Sequence, residues 1–128
     1  MPVEEVNRLD ESILLTIKKL IGIEDELDAF DIDVMVFTNS TFSILTQLGV
    51  GPPDGFVIVD GTESWSDYTM DPVLLGFVKI YIATKVKLTF DPPSSSALLK
   101  AMEDTIKELT WRMIVHVESS PKSDPPAI

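Results

Sequence analysis

The segment DPVLLGFVKIYIATKVKLTFDPPSSSALLKAMEDTIKELTWRMIVH, residues 71–116, decides the fold class. Pro72 stands at the favoured first helical position behind Asp71, a strong N-cap residue. Leu74, Leu75, Val78, Tyr81, Ile82, Val86 and Leu88 then recur at helical spacing as far as Phe90. Asp91-Pro92-Pro93 stops that helix, because the residue before a proline is pushed out of the helical region. Ser94, Ser95 and Ser96 offer caps for the next helix, expected over about Ser96 to His116. Its core face is Leu98, Met102, Ile106, Leu109 and Met113, with Leu99 beside it. Glu103 faces Lys107 and Glu108 faces Arg112 at i,i+4, which adds support on the wet side. Two long successive helices are the result.

Upstream the pattern predicts two more. Asn7 is expected to cap a first helix, with Asp10 and Glu11 in its opening turn, where the macrodipole favours negative charge. Ile13, Leu14, Ile17, Leu20 and Ile21 form its stripe, and Gly22 ends it. Asp28 is expected to cap a second helix from about Ala29 to Leu48. Phe30, Val34, Phe37, Ile44, Leu45 and Leu48 share one face, with Met35 and Phe42 on a neighbouring line. So wide an apolar arc needs cover on two sides, from the domain centre or from another subunit. Gly49 suits the left-handed stop, with Val50 packing back on Leu45.

The stretch from Gly51 to Thr69 differs in kind. GPPDG is turn chemistry, Phe56-Val57-Ile58-Val59 is a β-branched run, and Asp60-Gly61 is a hairpin signal. A hairpin is expected at about 51–70, with Thr62 to Trp65 as its return strand. Trp65 and Tyr68 close it, Trp65 as a clamp onto the chain's own core ahead of a partner contact. The fold class is thus mainly α: a small four-helix bundle over residues 1–117, a β-hairpin insertion between helices two and three, and an extended tail at 118–128. Prolines at 121, 125 and 126 keep that tail out of the last helix.

Composition narrows the chemistry. The 128 residues are 45% hydrophobic, a globular composition that suits one domain. No cysteine excludes disulfides, thiolate metal sites and cysteine nucleophiles, and suits a reducing interior. A single histidine, His116, excludes a multi-histidine metal site and is expected to be structural at its helix end. The carboxylates Glu24, Asp25, Glu26, Asp28, Asp31 and Asp33 lack the glycine and closing glutamate of a calcium loop, so a solvated connection is expected. No phosphate-binding glycine loop and no nucleophile–base pair is present, so neither an enzyme nor a cofactor is expected. No apolar run spans a bilayer. Net charge is −11, and residues 1–72 hold 15 acidic and 3 basic side chains against 6 and 7 in residues 73–128. Such a surface does not grip phosphates. A soluble, acidic, intracellular protein is expected.

Several segments together resemble a known family. GFVKIYIATKVKLTFDPPSSSALLKAMEDTIKELTWRM, and upstream STFSILTQLGVGPPDGFVI, SWSDY and SILLTIKKLIGI, are similar in content and order to head–tail connector (adaptor) proteins of long-tailed bacteriophages. The resemblance covers roughly residues 10–115 and carries no catalytic residues. It implies a structural virion protein of the neck, made in the bacterial host cytoplasm. Such a protein forms a homo-oligomeric ring of about twelve copies, a dodecamer, between portal and the next neck or tail protein. DNA would pass through the lumen without sequence-specific binding, and no membrane is involved. A head-closure or stopper ring, or a small acidic module such as a DNA-mimic inhibitor, are the alternatives. On this reading Met35, Phe42, Phe56, Ile58, Trp65 and Tyr68 are candidate subunit contacts. Pro125, Pro126 and Ile128 become a docking arm.

Overall fold

The computed structural model describes residues 9–120, in five helices. In chain order they are α1 (Ile13–Leu20), α2 (Asp31–Gln47), α3 (Trp65–Tyr68), α4 (Pro72–Phe90) and α5 (Ser96–Ser119). α4 is the central element. It packs along α5 on one side and along α2 and α1 on the other, whereas α2 and α5 make no extended contact. Val78, Ile82 and Val86 of α4 are fully buried, as are Ile13 and Ile17 of α1 and Val34, Phe42 and Leu45 of α2. α5 contributes one fully buried side chain, Met113, and Ile106 and Leu109 pack half-buried beneath it. It is a peripheral helix, laid on α4 by a narrow stripe.

The element boundaries have local causes. Asp71 Oδ1 accepts from the amides of Val73 and Leu74 (3.0 and 3.2 Å), so Pro72 opens α4 as expected. Asp91, extended before Pro92, closes it. Gly49 ends α2 at φ +81°: its amide reaches Thr46 O and the amide of Val50 reaches Leu45 O at 2.9 Å. That double bond is a Schellman stop, and Val50 and Leu45 are both buried. Gly22, at φ +88°, ends α1 in the same way through Lys19 and Lys18.

Three expectations are corrected. The first helix starts at Ile13, capped by Ser12, whose Oγ accepts from Leu15 N. Asp10 and Glu11 precede it, because residues 9–13 are paired with the connection ahead of α4: Ile13 N donates to Glu63 O, Trp65 N to Glu11 O and Ser66 N to Leu9 O. Asn7, the expected cap, lies outside the described residues. The second helix starts at Asp31, not Ala29, and its N-cap position, Phe30, makes no side-chain cap bond. The turn before it is closed by Asp31 N on Asp28 O.

The third correction is the hairpin, since no strand forms among the described residues. A single antiparallel bridge joins Ser12 to Ser64. Phe56–Val59 is extended, but its partner is a side chain. Asn39 accepts from Ile58 N–H (2.8 Å) and donates to Ile58 O (2.9 Å), standing in for a neighbouring strand. The Glu63 carboxylate takes the amides of Val59 and Asp60. Asp60 Oδ1 takes Thr62 N in a local turn. With those groups occupied, no ladder is left for Thr62–Trp65. Trp65 instead starts α3 behind a Ser64–Asp67 capping box. α5 also runs to Ser119, so the expected 117/118 boundary falls inside its last turn.

Candidate interaction surfaces

The connection from Gly49 to Asp71 is pinned by an aromatic cluster. Phe42 of α2 meets Phe56 edge-on at 5.0 Å and Tyr68 at 4.9 Å, and Trp65 stands 6.5 Å away. The Trp65 indole donates to Thr16 Oγ1 (3.0 Å), and Thr16 donates to the Glu11 carboxylate (2.6 Å). A buried indole N–H is thereby satisfied by α1. Burial pushes the Tyr68 hydroxyl well above its ordinary pKa. Gly51, at φ +85°, is required here, because a Cβ would run into the Tyr68 ring.

This cluster places most of the sequence-derived contact residues inside the subunit. Phe42 and Trp65 are 0% exposed, Ile58 2% and Tyr68 5%. Met35 and Phe56 are half-buried, packed against the same core. The structure thus brings Phe42, Phe56, Trp65 and Tyr68 together, and what they cover is their own chain. Pro125, Pro126 and Ile128 lie outside the described residues.

The exposed apolar groups lie elsewhere. Ile32 and Val36 are 73% and 57% exposed on the outer face of α2. Val57 and Val59 project from the extended run that Asn39 holds beside that helix. Ser40 and Ser43 continue the face. Residues 34–53 contain no charged side chain at all. That run is the signal by which sequence could have found the face, since interface centres are depleted of charge. A second exposed stripe runs along α4, through Val73, Gly76 and Ile80. The outer side of α5 is different: Trp111 is 60% exposed, but the ion pairs Lys100–Asp104 and Glu108–Arg112 lace that helix.

Two polar contacts were not legible from spacing. Lys18 is 0% exposed, and its Nζ meets Asp31 Oδ1 at 2.8 Å and Asp25 O at 3.1 Å, tying α1 to the start of α2. His116 Nε2 meets Asp71 Oδ2 at 2.8 Å, joining the end of α5 to the cap of α4, with the Phe77 ring beside it. The hydrogen bond from His116 holds the Asp71 carboxyl below its ordinary pKa, aided by the amides of Leu74 and Val73. His116 therefore has the structural role expected of it. Glu24, Asp25, Glu26 and Asp28 are exposed on the connection between α1 and α2. No group of three or more potential metal ligands occurs among the described residues. No described helix is long and apolar enough to cross a membrane.

Among the described residues the molecule presents exposed apolar faces on α2 and α4 and exposed carboxylates between α1 and α2. The family model described as phage connector protein matches residues 13–120. No curated protein and no solved structure matches the chain.

Proposed function

The chain belongs to the phage connector protein family, and from that membership we propose that it is a non-enzymatic ring subunit joining portal to the tail machinery. A structural connector role in the virion follows from the family itself. The match supports this reading in its extent, running from the first residue of α1 to the residue that caps α5. It thus covers the whole helical body and not one motif. In the ring, of about twelve copies, subunits related by rotation bury the same two patches repeatedly. Exposed carboxylates of the connection at 24–28 supply a lining that repels the phosphate backbone, so DNA slides where lysines would retain it.

Electron microscopy of the full chain mixed with purified portal tests this. Rings stacked on the portal vertex are the expected result. Stacking below another neck ring would instead identify a stopper. One-to-one capture of a basic nucleic-acid-binding protein, with no rings, would identify a DNA mimic and end the connector reading.

A further inference from the structure

Between the end of α4 and the first half of α5 lies a cleft of about 410 Å³, lined by Lys85, Leu88, Thr89, Glu103, Ile106 and Lys107. Leu88 and Ile106 are half-buried and make part of that lining apolar. The other lysines and the arginine of these two helices are engaged. Lys87 pairs with Asp91, Lys100 with Asp104 and Arg112 with Glu108, and Lys79 lies over the Trp65 ring. Lys85 and Lys107 form no ion pair among the described residues, and the Glu103–Lys107 pair that spacing suggests is not closed. Two unspent cations from different helices therefore meet at one partly apolar cleft, in a chain whose net charge is −11.

The chain itself carries the complementary surface. Glu24-Asp25-Glu26-Leu27-Asp28, between α1 and α2, is exposed throughout, Leu27 by 46%. The amide of Leu27 reaches Glu24 O at 3.1 Å, which sets the leucine in a tight turn among the carboxylates. None of those carboxylates forms an ion pair among the described residues. Elsewhere the acidic groups are largely spent: Asp31, Asp71, Asp91, Asp104 and Glu108 on cations, and Glu63 on backbone amides. A leucine flanked by unspent carboxylates fits an apolar cleft that carries unspent lysines. A nucleic acid fits it worse, since Glu103 and the net charge oppose phosphates and a phosphate backbone has no side chain for Leu88 and Ile106. Phe30, just after the turn, meets Phe90 of α4 edge-on at 5.2 Å, so turn and cleft lie at the same end of α4. The cleft is lined by α4 and α5 alone, and its own turn does not fill it.

We infer that the Glu24–Asp28 turn of one copy docks in the α4–α5 cleft of the next, with Leu27 against Leu88 and Ile106 and carboxylates at Lys85 and Lys107. This rests on the ring reading above and names the surfaces that join neighbours. Turn and cleft are different surfaces, so the contact is heterologous, and each addition leaves one of each free until the ring closes. Rotation about an axis along α4 joins them without rise, as closure requires. Exposed ion pairs are individually weak, so they choose the register while the leucine supplies the burial. Two lysines meet two of the carboxylates and leave the others to the lumen.

Reciprocal charge reversal in the full chain tests this. Lys85→Glu/Lys107→Glu and Glu24→Lys/Glu26→Lys alter exposed or half-exposed side chains without ion pairs, so both should keep the native melting temperature. Sedimentation at high concentration in moderate salt, and micrographs on portal, should show that each variant alone loses self-association. The second loses it although its net charge is less negative than the native. An equal mixture should regain native assembly, because each variant's turn then faces the other's cleft. A carbodiimide, which joins lysine to carboxylate directly, gives a second readout on mixed isotope-labelled and unlabelled native chains. Intermolecular links from Lys85 or Lys107 to residues 24–28 should exceed those from Lys19, an exposed lysine also without an ion pair, at least about tenfold. Variants that assemble as the native chain does, or rings whose links run elsewhere, overturn the inference and leave the ring reading standing. Links from Lys85 and Lys107 to portal carboxylates also overturn it, by giving the cleft to portal. Absence of any self-association by the native chain, alone and on portal, removes both.

Discussion

Lys18 and Asp31 form an ion pair whose two ends have different access to water: the lysine side chain is 1% exposed and the aspartate 26%. That asymmetry decides which half can be removed. Asp31→Ala strands a buried ammonium with only the Asp25 carbonyl, a loss of about 3 kcal/mol, as for other broken buried pairs. Lys18→Met fills the same space without a charge and leaves Asp31 with its Oδ1 buried but the rest of its side chain open to water, so it should cost less, about 1 to 2 kcal/mol. Urea denaturation of the two variants checks this, and equal losses would contradict it. Gly51 makes a second case. Gly49 and Gly51 share positive φ, but open space surrounds the first and the Tyr68 ring fills the second. Backbone strain alone sets the cost of Gly49→Ala, about 1 kcal/mol. Gly51→Ala must also displace the ring that closes the Phe42–Phe56–Tyr68 cluster, so its loss should exceed that of Gly49→Ala by at least about 1 kcal/mol. Thermal melts of the pair give the comparison directly.

Between elements, Asp71 does two jobs: it caps α4 with one oxygen and binds His116 of α5 with the other. Its folded pKa is lowered, chiefly by that histidine, so the stability it supplies is present above its unfolded value near 3.8. It is lost as pH falls through the lower folded value. Asp71→Asn should therefore lower stability by about 1 kcal/mol at pH 7, a cap-sized effect for a carboxylate that is substantially solvated. The gap between native and variant should begin to narrow at about pH 4 and close as pH falls through the lower folded value. Melting curves at several pH values test it, and a gap that did not narrow at all as pH fell from about 4 towards the acid limit would rule out the carboxylate. Asp71 also marks where sequence was sufficient. Asp-Pro at the start of α4 and Asp-Pro-Pro at its end are local signals, and both boundaries were legible to the residue. So was the Schellman stop at Gly49, whereas three serines compete as the cap of α5 in the sequence and Ser95 takes the place. The hairpin was misread because Phe56–Val59 has genuine strand character, and its competitor is nineteen residues away in sequence: the single amide of Asn39. Side-chain partners for backbone groups leave no periodicity. For the same reason the aromatic residues were assigned to a subunit contact, although α2 folds them inward and turns Ile32 and Val36 out.

For the whole molecule, charge and apolar area act at different ranges. A net charge of −11 opposes the approach of a second copy, and salt limits that repulsion to about 10 Å at 0.1 M. The exposed faces of α2 and α4 are apolar, so salt does not weaken a contact made through them. An exposed ion pair at the rim of such a contact is worth at most about 1 kcal/mol. Repulsion between two whole subunits should outweigh that single rim pair at low ionic strength. Self-association should therefore strengthen as salt rises from about 0.02 to 0.3 M, a window in which the Debye length falls severalfold. At micromolar concentration and low salt the chain should be mainly monomeric, with the ring assembled on a portal template that offsets the repulsion. Sedimentation velocity over that salt series measures the trend. Association that weakened with salt would mean that opposite charges carry the contact, with the apolar face secondary. A closed ring already stable at low salt would show that the subunit contact overcomes the repulsion without a template.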